Sequence, residues 1–339
     1  MLQTPPDNSR TWSFPIETLW DVCFYLTLFS FFFSLRLIGS HLLHYSRPVI
    51  QRKIIAILWM VPIYATTSWL SLRYVAHCLY FDIFRDAYES IVLYMFFALC
   101  YGYVGQVDRD RVDTSRIYAV LARKGEVNHL PPFGRFLSNI NLRDNQEDFL
   151  FRCKSNILQF VLVKPLASLI AILLHMRGLY TPGDFSLDSG YIYICIIVNI
   201  SISTSLYWLV MFFLATREAL VPYNPVPKFL CIKGVLFFSF WQSVIIVILH
   251  KVGLIQKIPI SGYSQDEICA TLQNALICVE MVVAAFAHSI AFPSKPYELL
   301  VRPGLSARRL LVNAIDLHDV VQDFHEISPL TSGGRVAQG

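Results

Sequence analysis

Seven stretches of about 20 residues, each nearly free of charge, recur along the chain and alternate with short charged segments. They lie at 19–39, 54–74, 87–105, 157–176, 191–215, 229–250 and 268–291. A helix rising about 1.5 Å per residue needs roughly 20 apolar residues to cross a hydrocarbon core of about 30 Å. The pattern therefore predicts an all-α, polytopic membrane protein with seven transmembrane helices. No charged side chain interrupts Ile54 to Leu72 or Ser189 to Thr216, whereas Lys164-Pro165 breaks the fourth stretch.

Composition agrees with lipid as the solvent. The 339 residues are 55% hydrophobic and 15% charged, with mean hydropathy +0.50, whereas a soluble domain carries roughly 25% charge. This excludes a soluble enzyme and a disordered chain. A net charge of +4 is too small for a nucleic-acid binder. Lys and Arg instead orient the chain, since positive residues in short loops stay cytoplasmic. With the N-terminus outside, nineteen fall on the cytosolic side and five on the outer side, which predicts N-out and C-in. The expected organisation is an outer or lumenal segment 1–18, a membrane domain 19–291 with a cytosolic loop 106–156, and a cytosolic tail 292–339, disordered near its end. No cleavable signal is evident, because the polar first eighteen residues contain Pro5-Pro6.

In the loop, Asp113 can cap a short helix whose Ile117, Val120 and Leu121 share one face; a membrane-surface helix is the expectation. The tail carries a helical pattern over Ser306–Asp323 and two aromatic-x-x-aliphatic patterns, Tyr297-Glu-Leu-Leu300 and Phe324-His-Glu-Ile327. Such peptides dock by adding a strand while two side chains enter pockets, so Tyr297, Leu300, Phe324 and Ile327 are candidate partner-binding residues. Most of the eight Cys lie within or beside spans, so no disulfide framework is indicated; Cys78 and Cys269 fall on one face and could pair. Asn199-Ile-Ser201 is a sequon buried mid-span.

Nucleotide-binding, hydrolase and zinc motifs are missing, and His41-x-x-His44 has no third ligand nearby. No enzyme, cofactor or metal site is expected. What remains is the set of polar residues inside the spans, costly in lipid and functional by default. Glu280 is deep in the seventh span, Lys164 lies beside the kinking Pro165 in the fourth, Trp241-Gln242 are in the sixth, Glu89 is near the start of the third and His288 is low in the seventh. These six are candidate ligand-binding residues; an interhelical hydrogen-bond cluster is the competing reading.

Several of these residues sit in longer patterns. Gln51-Arg-Lys-Ile-Ile55, Met60-Val-Pro-Ile-Tyr-Ala65, Tyr80-Phe-Asp82, Asp86-Ala-Tyr-Glu89 and Ala98-Leu-Cys-Tyr101 come first. Lys154, Leu158-Gln-Phe-Val161, Lys164-Pro165, Pro227-Lys-Phe-Leu-Cys-Ile-Lys233, Phe238-Ser-Phe-Trp-Gln242 and Glu280 through Ala287-His288 to Ala291-Phe292 follow. In this order they resemble the transmembrane protein 184 and organic solute transporter alpha-subunit (Lazarus1-like) family, from about residue 20 to about 328. The resemblance implies seven helices with the N-terminus outside. It also implies facilitative transport of amphipathic organic solutes or lipids, with membrane lipids and a single-span subunit or a second copy as partners. For some relatives it implies instead a vacuolar protein whose tail recruits an autophagy ubiquitin-like protein. The chain lacks the run of adjacent cysteines that the bile-acid alpha-subunits carry in a cytosolic loop and has Gly105-Gln106 where relatives usually carry two glycines, so it looks nearer to the transmembrane protein 184 branch. The plasma membrane and the vacuolar or endosomal membrane are both compatible locations. The expected site is a groove holding an amphipathic solute beside Glu280, Lys164 and Gln242.

Overall fold

The computed structural model describes residues 16–108, 111–131, 139–181, 186–255 and 264–298. Among them seven helical segments are long and apolar enough to span a membrane. They are α1 (Ile16–Leu43), α2 (Pro48–Leu58) running on into α3 (Met60–Arg73), α4 (Cys78–Gly105), α6 (Gln146–Met176), α7 (Gly190–Leu220), α8 (Pro225–Lys251) and α9 (Gln265–Ala291). Between α4 and α6 lie two two-stranded antiparallel ribbons and the short helix α5 (Thr114–Lys124). The ribbons are β1 (Val107–Asp108) with β2 (Arg111–Val112), and β3 (Glu126–Val127) with β4 (Ile140–Asn141). A four-residue helix, α10 (Lys295–Glu298), follows α9.

The bundle is layered by burial. Helices α3 and α4 are innermost: α3 packs on α1, α4 and α9, and α4 on α2, α3 and α6. Helix α7 leans on α6 and α8 on α9, and both show most of their surface outward. Tyr94, Phe97, Phe160, Phe212 and Met281 fill the centre. Leu166, Leu169 and Leu173 on α6, Ile196 and Ile200 on α7 and Phe237, Phe238 and Ile248 on α8 stand exposed, as a lipid-facing surface requires.

Helix α1 is built inside-out. Its buried positions are Cys23, Thr27, Ser30, Ser34, Ile38 and His41, spaced three or four apart, whereas Tyr25, Phe29 and Phe32 face outward. Lipid is as apolar as Phe, so helices associate through small and polar residues that permit close approach. Thr27 Oγ1 donates to the Ala65 carbonyl at 3.3 Å.

Two local devices shape the rest. Pro62 lacks an amide hydrogen; just ahead of it α2 gives way to α3 at Trp59, and Tyr88 OH donates to the Ala56 carbonyl at 2.6 Å. At the end of α4 a Cβ on Gly105 would lie 2.4 Å from Val112 Cγ1 and 3.1 Å from the Asp113 carbonyl, so the close return of the chain requires glycine there. The next residue, Gln106, adopts φ +40°, and its Oε1 accepts from the Arg116 guanidinium at 2.6 Å. Asp113 caps α5 by accepting from Ser115 N at 3.0 Å and Arg116 N at 3.4 Å. Ile117 and Leu121 are fully buried against the bundle with Val120 packed beside them, so the shared apolar face expected of α5 docks on protein.

Two span boundaries also differ from the sequence reading. The third span begins at Val75 rather than 87, and the fourth helix at Gln146 rather than 157. In α4 the charged side chains of the first turns face other protein groups instead of ending the helix, as the site shows; in α6 the added turns carry Glu147, Asp148 and Arg152 exposed, ahead of the apolar stretch.

Candidate functional site

The earlier start of α4 brings Asp82, Arg85, Asp86 and Glu89 into the helix at i, i+3, i+4 and i+7, which is one face. That face points to protein. Arg85 pairs with Asp82 at 2.9 Å, donates to Ser68 Oγ of α3 at 3.0 Å and to Asn274 Oδ1 of α9 at 3.3 Å, and lies over the Tyr64 ring. Ser71 donates to Asp82 at 3.4 Å. On the other flank, Lys164 Nζ of α6 lies 3.1 Å from Asp86 and 3.8 Å from Glu89. Glu89 follows the start of α4 by eleven residues and Lys164 precedes the end of α6 by twelve, so antiparallel packing brings both to about 17 Å along the helix axes from the same end of the α4–α6 pair.

A third cation completes the set. Lys233, on the first half of α8, is half-buried and close enough to Glu89 and Lys164 to interact with both charges. Among the described residues its Nζ has no hydrogen-bond acceptor and no carboxylate within ion-pair distance. Three carboxylates (Asp82, Asp86, Glu89) thus face three cations (Arg85, Lys164, Lys233), two paired and one not.

The opposite side of α8 carries the second polar seam. Lys233 and Gln242 are nine residues apart, hence about 180° apart around the helix. Gln242 Nε2 and Ser239 Oγ both donate to the Glu280 carboxylate of α9, the latter at 3.4 Å, and Ser243 donates to Gln273 Oε1 at 2.8 Å.

Over residues 19–297 the sequence matches the family described as organic solute transporter Ostalpha. The chain belongs to that family. No solved structure matches it. Membership makes this an organic solute transporter-like membrane protein, in keeping with a non-enzymatic role and with contact to lipid or solute.

In this Ostalpha-family chain the expected site residues fall into separate places. Lys164 and Glu89 meet, and Glu280 and Gln242 meet, but the two pairs line different seams of α8 instead of one groove. Trp241 is 47% exposed on the outer side of α8, beside Phe237. His288 is buried low in α9, ringed by Phe292, and neither ring nitrogen has a partner among the described residues. His41 and His44 bond to the Phe292 and Ser40 carbonyls, and no group of three or more potential metal ligands occurs among the described residues. Tyr297 is 8% exposed, its ring tilted against that of His41 and its hydroxyl bonded to Tyr103, and burial pushes its phenol up. It is therefore not displayed for docking in this conformation. Leu300, Phe324, Ile327 and the helical pattern 306–323 lie outside the described residues. No disulfide joins Cys78 to Cys269, whose Sγ is 3.7 Å from His250 Nδ1.

Asp82, Arg85, Asp86, Lys233 and Asn274 were not among the expected residues. The signal for three of them was present: with the expected Glu89, Asp82, Arg85 and Asp86 form an i, i+3, i+4, i+7 run of ionisable residues opening an otherwise apolar stretch.

Proposed function

We propose that the protein is a facilitative carrier of amphipathic organic solutes, whose polar head is received by the α4–α6–α8 polar set and whose apolar body lies against the outward faces of α6 and α8. The observation that carries this reading is Lys233. An ammonium inside the bilayer without a direct counter-ion is costly, and an anionic head would complete it. Lys164 already shares two carboxylates, so it positions the set and leaves Lys233 as the receiving charge. Glu280, Ser239 and Gln242 tie α8 to α9 on the far side, so movement of α8 around a bound solute would load that seam. The chain is read as crossing with its N-terminus outside and its tail in the cytosol, on the strength of the Lys and Arg distribution.

The test is uptake of a sulfated sterol, down its gradient, into proteoliposomes. Lys233→Gln is expected to cut uptake about tenfold, one unit of 1.4 kcal/mol in binding. Glu280→Gln is expected to change the rate less. Uptake equal to that of empty liposomes refutes the carrier reading; full uptake by Lys233→Gln refutes the site.

A further inference from the structure

An open cleft of about 490 Å³ lies between the N-terminal half of α1 and the end of α3, away from the α4–α6–α8 set. Its volume is within the range of roughly 300–1,000 Å³ usual for small-ligand sites. Glu17, Trp20, Asp21 and Phe24 line it from α1 at i, i+3, i+4 and i+7, a single helical face, and Trp69 and Arg73 line it from α3 at i, i+4. The aromatic wall is held in place: Phe24 and Trp69 rings lie 5.1 Å apart, and Trp69 Nε1 donates to the Trp20 carbonyl at 3.3 Å. The Arg73 guanidinium stacks 4.3 Å over the Trp20 ring. Glu17 and Asp21 are exposed, and among the described residues neither has an ion pair or a hydrogen bond through its carboxylate.

We infer that this cavity binds a zwitterionic phosphocholine group. Two carboxylates beside the Phe24 and Trp69 rings are the surroundings that hold a quaternary ammonium, which is attracted to ring faces and to negative charge. One guanidinium on the opposite wall matches a phosphate. The combination selects by sign: a simple cation meets Arg73, an anionic headgroup meets Glu17 and Asp21, and only a ligand carrying both charges satisfies both walls. Tryptophans gather at the level of lipid headgroups, so Trp20 and Trp69 set the cavity at the height where a phosphatidylcholine headgroup lies. The ligand is thus phosphocholine, borne by a membrane lipid or free in solution. The inference stands independently of the carrier reading, since it uses none of the residues of that site.

The experiment is native mass spectrometry of the full chain in maltoside detergent, offered equal amounts of phosphatidylcholine and phosphatidylglycerol, with tryptophan fluorescence titrations of free phosphocholine and of choline alongside. Phosphatidylcholine adducts are expected to exceed phosphatidylglycerol adducts about tenfold. The preference is expected to vanish in the isosteric variant Glu17→Gln/Asp21→Asn, whereas Arg73→Gln loses phosphocholine but keeps choline. Saturable quenching by free phosphocholine supports the site with a soluble ligand; a response to the lipid alone supports it with a lipid ligand. Equal capture of the two lipids by the parent protein overturns the inference. So does an undiminished preference in the Glu17→Gln/Asp21→Asn variant.

Discussion

Replacing Lys164 by Met tests whether the α4–α6 ion cluster holds the bundle together. The ammonium lies 3.1 Å from Asp86 and 3.8 Å from Glu89. At an effective dielectric of about 20 these contacts have gross attractions of roughly 5 and 4 kcal/mol. Desolvation of the ions offsets several kcal/mol of that, and a buried pair exchanged whole for apolar groups is often nearly neutral. Lys164→Met does not exchange the pair whole: it strands two carboxylates, and breaking one side of a buried pair costs about 3–5 kcal/mol. The Asp86 side chain is 40% exposed and can turn toward polar surroundings, whereas Glu89 is 12% exposed and cannot. The expected loss is therefore near the lower end, about 3 kcal/mol. Adding Glu89→Gln removes the stranded charge and should recover about 2 kcal/mol, a coupling normal for side chains in contact. The assay is thermal unfolding in detergent, where the single variant should melt several degrees below the parent and the double variant between the two. A single variant melting within about 1 °C of the parent, or a double variant no better than the single, refutes the reasoning.

Neighbouring residues at the end of α4 should respond with opposite signs. Gly105→Ala puts a methyl 2.4 Å from Val112 Cγ1 and near the Asp113 carbonyl, and should lower stability by about 1–3 kcal/mol. Gln106→Gly relieves a positive φ and should raise it by about 1 kcal/mol despite the lost bond to Arg116; melting midpoints decide both. Asp113→Ala should cost α5 about 1 kcal/mol, read as faster amide exchange across Thr114–Lys124 with the spans unchanged. A glycosylation sequon placed ahead of Ile16 should be modified and one placed at residue 123 should not; the reverse pattern would invert the orientation.

The spans were legible because hydrocarbon tolerates little else than an apolar helix, and so Ile54–Leu72 and Ser189–Thr216 show themselves by lack of charge alone. That criterion fails where a helix keeps its charges turned inward. Asp82, Arg85 and Asp86 read as loop residues when charge ends a span, yet they are the first turns of α4, satisfied by Ser68, Ser71, Asn274 and Lys164. The Glu280–Gln242 contact was legible for a related reason, since two polar residues deep in adjacent spans need each other. The division of the polar residues between two sides of α8 was not, because it depends on which helix lies against which face. The inside-out α1 was equally hidden: its stripe of Cys, Thr and Ser reads as weak amphipathicity until α3 and α9 are placed against it.

The stoichiometry of the cluster says why Lys233, and not Lys164, suits an exchangeable ligand. With three acids and three cations, the α4–α6–α8 set carries no net charge when all six are ionised. An anion arriving at Lys164 would have to displace Asp86 or Glu89, and the displaced carboxylate would then stand unpaired at a cost of several kcal/mol. An anion arriving at Lys233 breaks no direct contact of its ammonium among the described residues and comes closer to it than Glu89 does. It adds one negative charge beside Glu89, which limits how tightly it can be held. A carrier that works down a gradient needs that balance, because a site that binds strongly on one side releases slowly on the other. On the proposed reading the nearby carboxylate therefore sets the release rate: Glu89→Gln should slow sulfated-sterol exchange while strengthening its binding, and faster exchange with weaker binding would contradict it.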